Sequence, residues 1–136
     1  MFLDASAIVA ILTGEPEADV FADLIEKAPS SITSPIAVFE AVLGICRKRR
    51  AGVEESAEDV REFLGIAGIE TVAITDRDAA TALTAFARYG KGRRHPAQLN
   101  MGDCFAYAIA KNQGTELLFK GEDFGKTDIA TAARPS

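Results

Sequence analysis

Four acidic residues, Asp4, Glu40, Asp103 and Asp123, stand where carboxylates from distant parts of one chain could gather. Asp4 follows an apolar start, Met1 to Leu3. Asp103 comes three residues after Asn100 at the head of an alanine-rich segment, and Asp123 lies just past the apolar run Leu117-Leu118-Phe119. Around Glu40, the positions four before and three and four after are Ile36, Leu43 and Gly44, so on a helix Glu40 falls on an apolar, inward stripe. An isolated ionised glutamate there is costly. Carboxylates crowded together also raise one another's pKa values. A bound hard cation removes both costs, and an all-oxygen set of donors suits Mg2+ or Mn2+. Taken singly, three of the acids have ordinary readings: Asp4 as a helix cap, Asp103 as first-turn charge on a helix dipole, Asp123 as an exposed turn residue. Glu40 has none as simple, and independent caps need not meet at one place.

The elements that must position these acids can be read from spacing. Leu99 to Phe124 reads as helix, turn, strand and acidic loop. Asn100 caps the helix by accepting from the Asp103 N–H, and Asn112 with Gly114 ends it. Alanines 106, 108 and 110 with Phe105 and Ile109 make that helix apolar around much of its surface, as in a buried element. Leu117 to Phe119 reads as a strand covered on both faces. Earlier in the chain, Met1 to Leu3 reads as a strand, and a helix begins near Ser6 and runs to Leu12. Helices are expected over Pro16 to Ala28, Ile36 to Arg50, Val53 to Ala67 and Asp76 to Tyr89, the last capped by Thr75 or Asp76. Ser31 to Ser34 and Glu70 to Ile74 read as strands, and Asp128 to Ala133 as a last short edge strand. Strands alternating with helices predict a three-layer α/β/α domain with a central, mainly parallel sheet of four to five strands. Sites in such sheets form beyond the carboxyl ends of the strands, which is where the four acids fall.

At 136 residues the chain is expected to form a single domain, 1–136, with a full core. A net charge of −5 does not advertise nucleic-acid binding over the surface as a whole, although metal ions can supply positive charge locally. Cys46 and Cys104 form no C-x-x-C, so neither a zinc site nor a disulfide framework is expected; free thiols in a reducing cytoplasm are the plain reading. Met1-Phe2-Leu3-Asp4 lacks the basic start of a signal peptide, so none is expected, and no apolar run approaches the about 18 residues of a membrane span. Two basic runs could meet a phosphate backbone: Arg47, Arg49 and Arg50 at the end of the Glu40 helix, and Arg93 and Arg94 in the loop before Asn100. Helix-end charge and a solvated loop are their ordinary readings. His95 is the only histidine, and no nucleophile setting accompanies it.

Asp4-Ala5-Ser6, Phe39-Glu40, Met101-Gly102-Asp103-Cys104 with Tyr107-Ala108, and Leu118 to Phe124 with Thr127-Asp128 together resemble the PIN-domain ribonucleases, and more narrowly the VapC toxins of bacterial toxin–antitoxin pairs. The likeness spans nearly the whole chain in order. It implies hydrolysis of RNA phosphodiesters, with Asp4, Glu40, Asp103 and Asp123 holding one or two Mg2+ or Mn2+ ions. Ser6 would support the metal site by hydrogen bonding, beside the Asn100 cap. Glu40 would hold or deprotonate the attacking water. Glu122, Asp123 and Asp128 all lie near the last acidic position, and Asp123 is taken because it precedes Phe124. The same likeness implies a small VapB-like antitoxin across the acidic groove, a homodimer and a cytoplasmic setting. Three other readings fit less well. A haloacid-dehalogenase-like phosphatase wants D-x-D-x-T after the first strand, where Asp4-Ala5-Ser6-Ala7 lacks the second Asp. A phospho-receiver module needs an acidic pair after the first strand, where Asp4 stands alone. A catalytically weak, RNA-binding PIN domain would be expected to lack part of the acidic set.

Overall fold

The computed structural model of the chain describes residues 1–132. Two short apolar strands form its centre: β1, Phe2–Leu3, and β4, Leu117–Leu118, paired in parallel with Phe2 opposite Leu117 and Leu3 opposite Leu118. β2, Ser31–Thr33, pairs with the other side of β1, and β3, Ile69–Thr71, pairs with β2, giving the order β3-β2-β1-β4, all parallel. Parallel neighbours need crossovers, and helices supply them: α1, Ala5–Leu12; α2, Ala18–Lys27; α3, Pro35–Arg49; α4, Val53–Ala67; α5, Asp76–Tyr89; and α6, Met101–Asn112.

Successive strand side chains point to opposite faces, and this divides the core in two. Phe2 and Leu117 pack with Ala82, Ala85 and Tyr89 of α5 and with Tyr107, Ala108 and Ile109 of α6. Leu3 and Leu118 pack on the other face with Ile8 of α1, Ala41, Val42 and Ile45 of α3, and Val60 and Leu64 of α4. The architecture is therefore three-layer α/β with a four-stranded sheet. Phe2, Leu3, Ile8, Ile109, Leu117 and Leu118 are all fully buried, and each such side chain contributes about 1.5–3 kcal/mol.

Local chemistry fixes the helix starts. Asp4 caps α1 by accepting from the Ser6 N–H, and Ser34 caps α3 by accepting from the Ala37 N–H ahead of Pro35. Thr75, rather than Asp76, caps α5 and forms a reciprocal box with Asp78. Asn100 does the same with Asp103 at α6.

Three expectations shift. The strand expected over Glu70 to Ile74 is Ile69–Thr71, because left-handed Gly68 ends α4 and delivers the chain straight into the sheet. The helix expected from Pro16 begins at Ala18, after a turn. The edge strand expected over Asp128 to Ala133 is reduced to a single parallel bridge between Leu117 and Thr131; Ala133 lies outside the described residues. Thr127 and Asp128 are held by local and α6 hydrogen bonds instead of a ladder. Among the described residues, no helix is long and apolar enough to cross a membrane.

Candidate active site

The strand order reverses at β1, which has β2 on one side and the late-arriving β4 on the other. At such a switch point the loops after two neighbouring strands diverge and leave a crevice. Here that crevice is a cleft of about 510 Å³, whose lining includes Asp4, Ser6, Glu40, Asp103, Arg47 and Lys120. Asp4 leaves β1 directly, with its N–H donating to the Leu118 carbonyl at 3.0 Å, so the sheet itself fixes the residue. Ser6 ties the two strand ends together. Its hydroxyl donates to Asp4 Oδ2 at 2.6 Å and accepts from the Lys120 N–H at 2.9 Å. Asp103 is held at the head of α6, accepting from the Asn100 N–H at 3.1 Å while its own N–H donates to Asn100 Oδ1 at 2.9 Å. Asn100 and Ser6 thus act on the orientation of the acids.

Glu40 arrives from α3. The stripe of that helix that meets the core is Ala37, Ala41, Val42 and Ile45, not Ile36 and Leu43; Leu43 is exposed. Glu40 stands beside the buried stripe, with Gly44 one turn on, and faces the cleft. Its carboxylate lies against the backbone of Gly102 in the first turn of α6.

Three acids therefore share one cleft, and their protonation reflects it. Burial raises the Asp4 pKa against the lowering hydrogen bonds from Ser6 and Ala5. Burial, then the charges of Asp4 and Asp103, push Glu40 up to about 7. Burial and the charges of Asp4 and Asp123 push Asp103 to about 6, although the Asn100 N–H works the other way. Among the described residues no lysine, arginine or histidine forms an ion pair with any of the three. The nearby lysines are spoken for. Glu15, on the turn after α1, pairs with Lys120 at 2.7 Å and with Lys48 at the end of α3, and Lys120 also reaches Glu17 at 3.4 Å.

A hard cation fits the chemistry of this donor set: oxygens only, negative, clustered and lacking a counter-charge. Asp4 and Asp103 each spend Oδ2 on their own helix start. Among the described residues, no three acidic, histidine or cysteine side chains close around one point as they stand. Mg2+ usually takes one or two carboxylates and keeps several of its waters, so it does not require three side chains around one point.

The other residues singled out in the sequence fall as follows. Asp123 is exposed at the start of a 3₁₀ turn, Phe124–Lys126, outside the cleft lining but near enough to act on Asp103. Glu122 is likewise exposed. Asp128 is engaged elsewhere: it accepts from the Tyr107 hydroxyl and from Lys111 at 2.8 Å, and is held down at about 2 by those two hydrogen bonds. Of the five arginines, Arg47 lines the cleft; Arg49 donates to the Leu12 carbonyl, and Arg50 is the left-handed C-cap of α3. Arg93 and Arg94 are exposed on the loop before Asn100 and do not line the cleft. His95 Nδ1 accepts from the Ala97 N–H at 3.0 Å, and its ring packs edge-on against Tyr89. Cys46 and Cys104 are free thiols. Glu15 was missed. Its only signal was an acid directly after Gly14 in a helix-ending turn.

A parallel α/β domain with an acidic crevice at its switch point is the class that this fold and cleft define. The chain belongs to the PIN-domain family, whose pattern matches residues 1–130. It is 43% identical over 135 residues to ribonuclease VapC30 of Mycobacterium tuberculosis, covering 99% of this chain and 100% of that one. A VapC ribonuclease of Rhizobium meliloti is 40% identical over 139 residues, with 94% and 98% covered. In three dimensions the chain resembles Mycobacterium tuberculosis VapC20, described as a sarcin–ricin loop cleaving toxin, with a TM-score of 0.75, 16% identity and 98% of both chains covered. At that identity the likeness speaks for the fold alone.

Proposed function

We propose that this chain is a metal-dependent endoribonuclease, the toxin of a toxin–antitoxin pair, acting as a single PIN domain over residues 1–136. One observation carries the reading: Asp4, Glu40 and Asp103, from three separate elements, share a cleft, and among the described residues no cationic side chain is paired to them. The 43% identity to a VapC ribonuclease supports the choice of RNA as substrate.

Asp4 and Asp103 would be the principal ligands for Mg2+ or Mn2+, with Asp123 completing or widening the site. When bound, the ion neutralises the scissile phosphate and lowers the pKa of water in the cleft. Glu40, facing the cleft beside Asp4 and Asp103, takes the proton from the attacking water. The water oxygen bonds to phosphorus as the P–O bond to the departing ribose oxygen breaks. Ser6 and Asn100 keep Asp4 and Asp103 aligned. Arg47 on the cleft wall contacts phosphates beside the scissile one, while Lys48 and Lys120, paired with Glu15, keep that wall from being wholly negative. Arg49, Arg50, Arg93 and Arg94 serve at most as outlying backbone contacts.

The partner is a VapB-like antitoxin that lays a basic residue among the three carboxylates, and the working form is a cytoplasmic homodimer. The VapC name of the relatives supports the antitoxin partner, as does a cleft whose charge invites a cationic side chain.

Incubating the purified chain with a mixed RNA pool tests the reaction. Cleavage in Mg2+ is expected to vanish in EDTA and, separately, with Asp103→Asn. Activity that survives either treatment contradicts the metal mechanism.

A further inference from the structure

We propose that Gly102 is a positioning residue: the missing side chain at the second position of α6 is the space in which the Glu40 carboxylate sits. This inference rests on the reading of Asp4, Glu40 and Asp103 as a cation-holding set. A Cβ built on Gly102 would overlap both carboxylate oxygens of Glu40 and come within 2.5 Å of its Cδ. Any side chain at 102 and the present seat of Glu40 exclude each other.

The usual reasons for a glycine do not apply here. Gly102 is absent from the set of left-handed glycines, which comprises Gly14, Gly68, Gly92, Gly114 and Gly121. Its backbone is helical, and inside a helix glycine is about 1 kcal/mol worse than alanine. Helix formation alone therefore favours a side chain at this position. Packing between hydrocarbons is not the reason either. At Gly44 an added Cβ meets the Val9 methyls, and at Gly90 it meets Phe86. Gly102 is the glycine whose added carbon meets a charged group.

The location gives the space a purpose. Gly102 adjoins Asp103 in the first turn of α6, at the positive end of the helix dipole. A carboxylate lying flat on that turn gains the dipole and sits next to Asp103. α3 and α6 thus deliver two acids to one spot only because one of them leaves its surface bare. The obstructed group is the far end of a flexible side chain, so an intruding methyl would swing Glu40 away and leave the fold intact. Stability and cation affinity are expected to separate.

The test uses the metal-free full chain and Mn2+ as the probe, with calorimetric titration and thermal unfolding run side by side on wild type, Gly102→Ala, Glu40→Asp and the double variant. Gly102→Ala is expected to weaken Mn2+ binding about tenfold, as loss of a supporting contact does at other metal sites, with Tm unchanged or raised. In the Glu40→Asp background the shorter acid does not reach the added methyl. There Gly102→Ala is expected to change Mn2+ affinity by less than about twofold, a non-additivity diagnostic of direct contact. Equal affinity of wild type and Gly102→Ala overturns the inference and leaves the cleft reading standing. So does an equal loss in both backgrounds, or a fall in Tm that Glu40→Asp does not relieve. Failure of wild type to bind Mn2+ overturns the cleft reading and this inference together.

Discussion

Asp128 and Asp4 are the same residue type placed in opposite surroundings. Asp128 has a lysine and a tyrosine hydroxyl as partners, with Arg88 at 4.0 Å, and its pKa is held at about 2. Asp4 is buried beside two further carboxylates; among the described residues its donors are a hydroxyl and backbone N–H groups, and burial raises its pKa. The first aspartate completes its charge balance within the chain and serves the fold by tying the C-terminal loop to α6. The second is left unbalanced, at a cost in stability that a merely structural carboxylate has no reason to bear. The contrast also separates candidates for the last acidic position. Asp128 is occupied, whereas Asp123 is free of hydrogen bonds as a cap and acts on Asp103.

Exchanging the two aspartates for asparagine should give opposite phenotypes. Asp4→Asn is expected to lower RNA cleavage by more than about 100-fold, beyond the usual loss for a group that only supports a metal ligand. The metal-free protein should keep or gain thermal stability. Asp128→Asn should leave cleavage within about threefold and lower stability by about 0.5–1 kcal/mol, since solvent screens a half-exposed pair. Matched initial rates and thermal melts of both variants check this. Equal activity losses would dissolve the contrast.

The dependence on pH sharpens it further, with a smaller effect. Glu40 rises from an ordinary 4.5 to about 7 and Asp103 from 3.8 to about 6, so both bind protons more tightly when folded. Their contribution is fully present below their unfolded values and is lost as pH rises through about 6 to 7. Denaturant melts in EDTA should therefore show stability declining from about pH 4 to about pH 7, the window between the unfolded and folded values of these two groups. Saturating Mg2+ should flatten the decline. Asp128 has the opposite sign: its contribution is present above 3.8 and fades as pH falls toward about 2. A stability that climbs from about pH 4 to about pH 7 without metal would contradict the account.

What could be read from the sequence was local chemistry. Asn100 and Asp103 are three apart, and their reciprocal cap appears as the spacing requires. The alanine-rich helix α6 is buried, and the apolar pairs Phe2–Leu3 and Leu117–Leu118 lie side by side at the centre of the sheet. Asp4 and Asp103 were legible because each adjoins a strand end or a helix start, and Glu40 because its helical neighbours are apolar; topology brings the three to one cleft. Partnerships between distant residues were not legible. Glu15 meets Lys120, which lies 105 positions away, and Arg49 meets a carbonyl 37 positions back. A run of basic residues does not reveal which members are already paired. The inward stripe of α3 was misjudged for a related reason. Gly44 and Glu40 read as part of an apolar face, whereas the helix turns Ala41 and Ile45 to the core and leaves Glu40 at the cleft edge. The expected terminal strand failed because Thr127 and Asp128 satisfy themselves locally and against α6, leaving one bridge at Thr131.

The central claim is that one divalent ion supplies the charge that the cleft lacks. Crystals of the chain grown with Mn2+, measured for anomalous scattering at the manganese edge, address it without any assay. An anomalous peak within bonding distance of Asp4 and Asp103, with Glu40 turned toward it, is the result predicted. Ordered manganese confined to other carboxylates, with none in the cleft at saturating concentration, would contradict it.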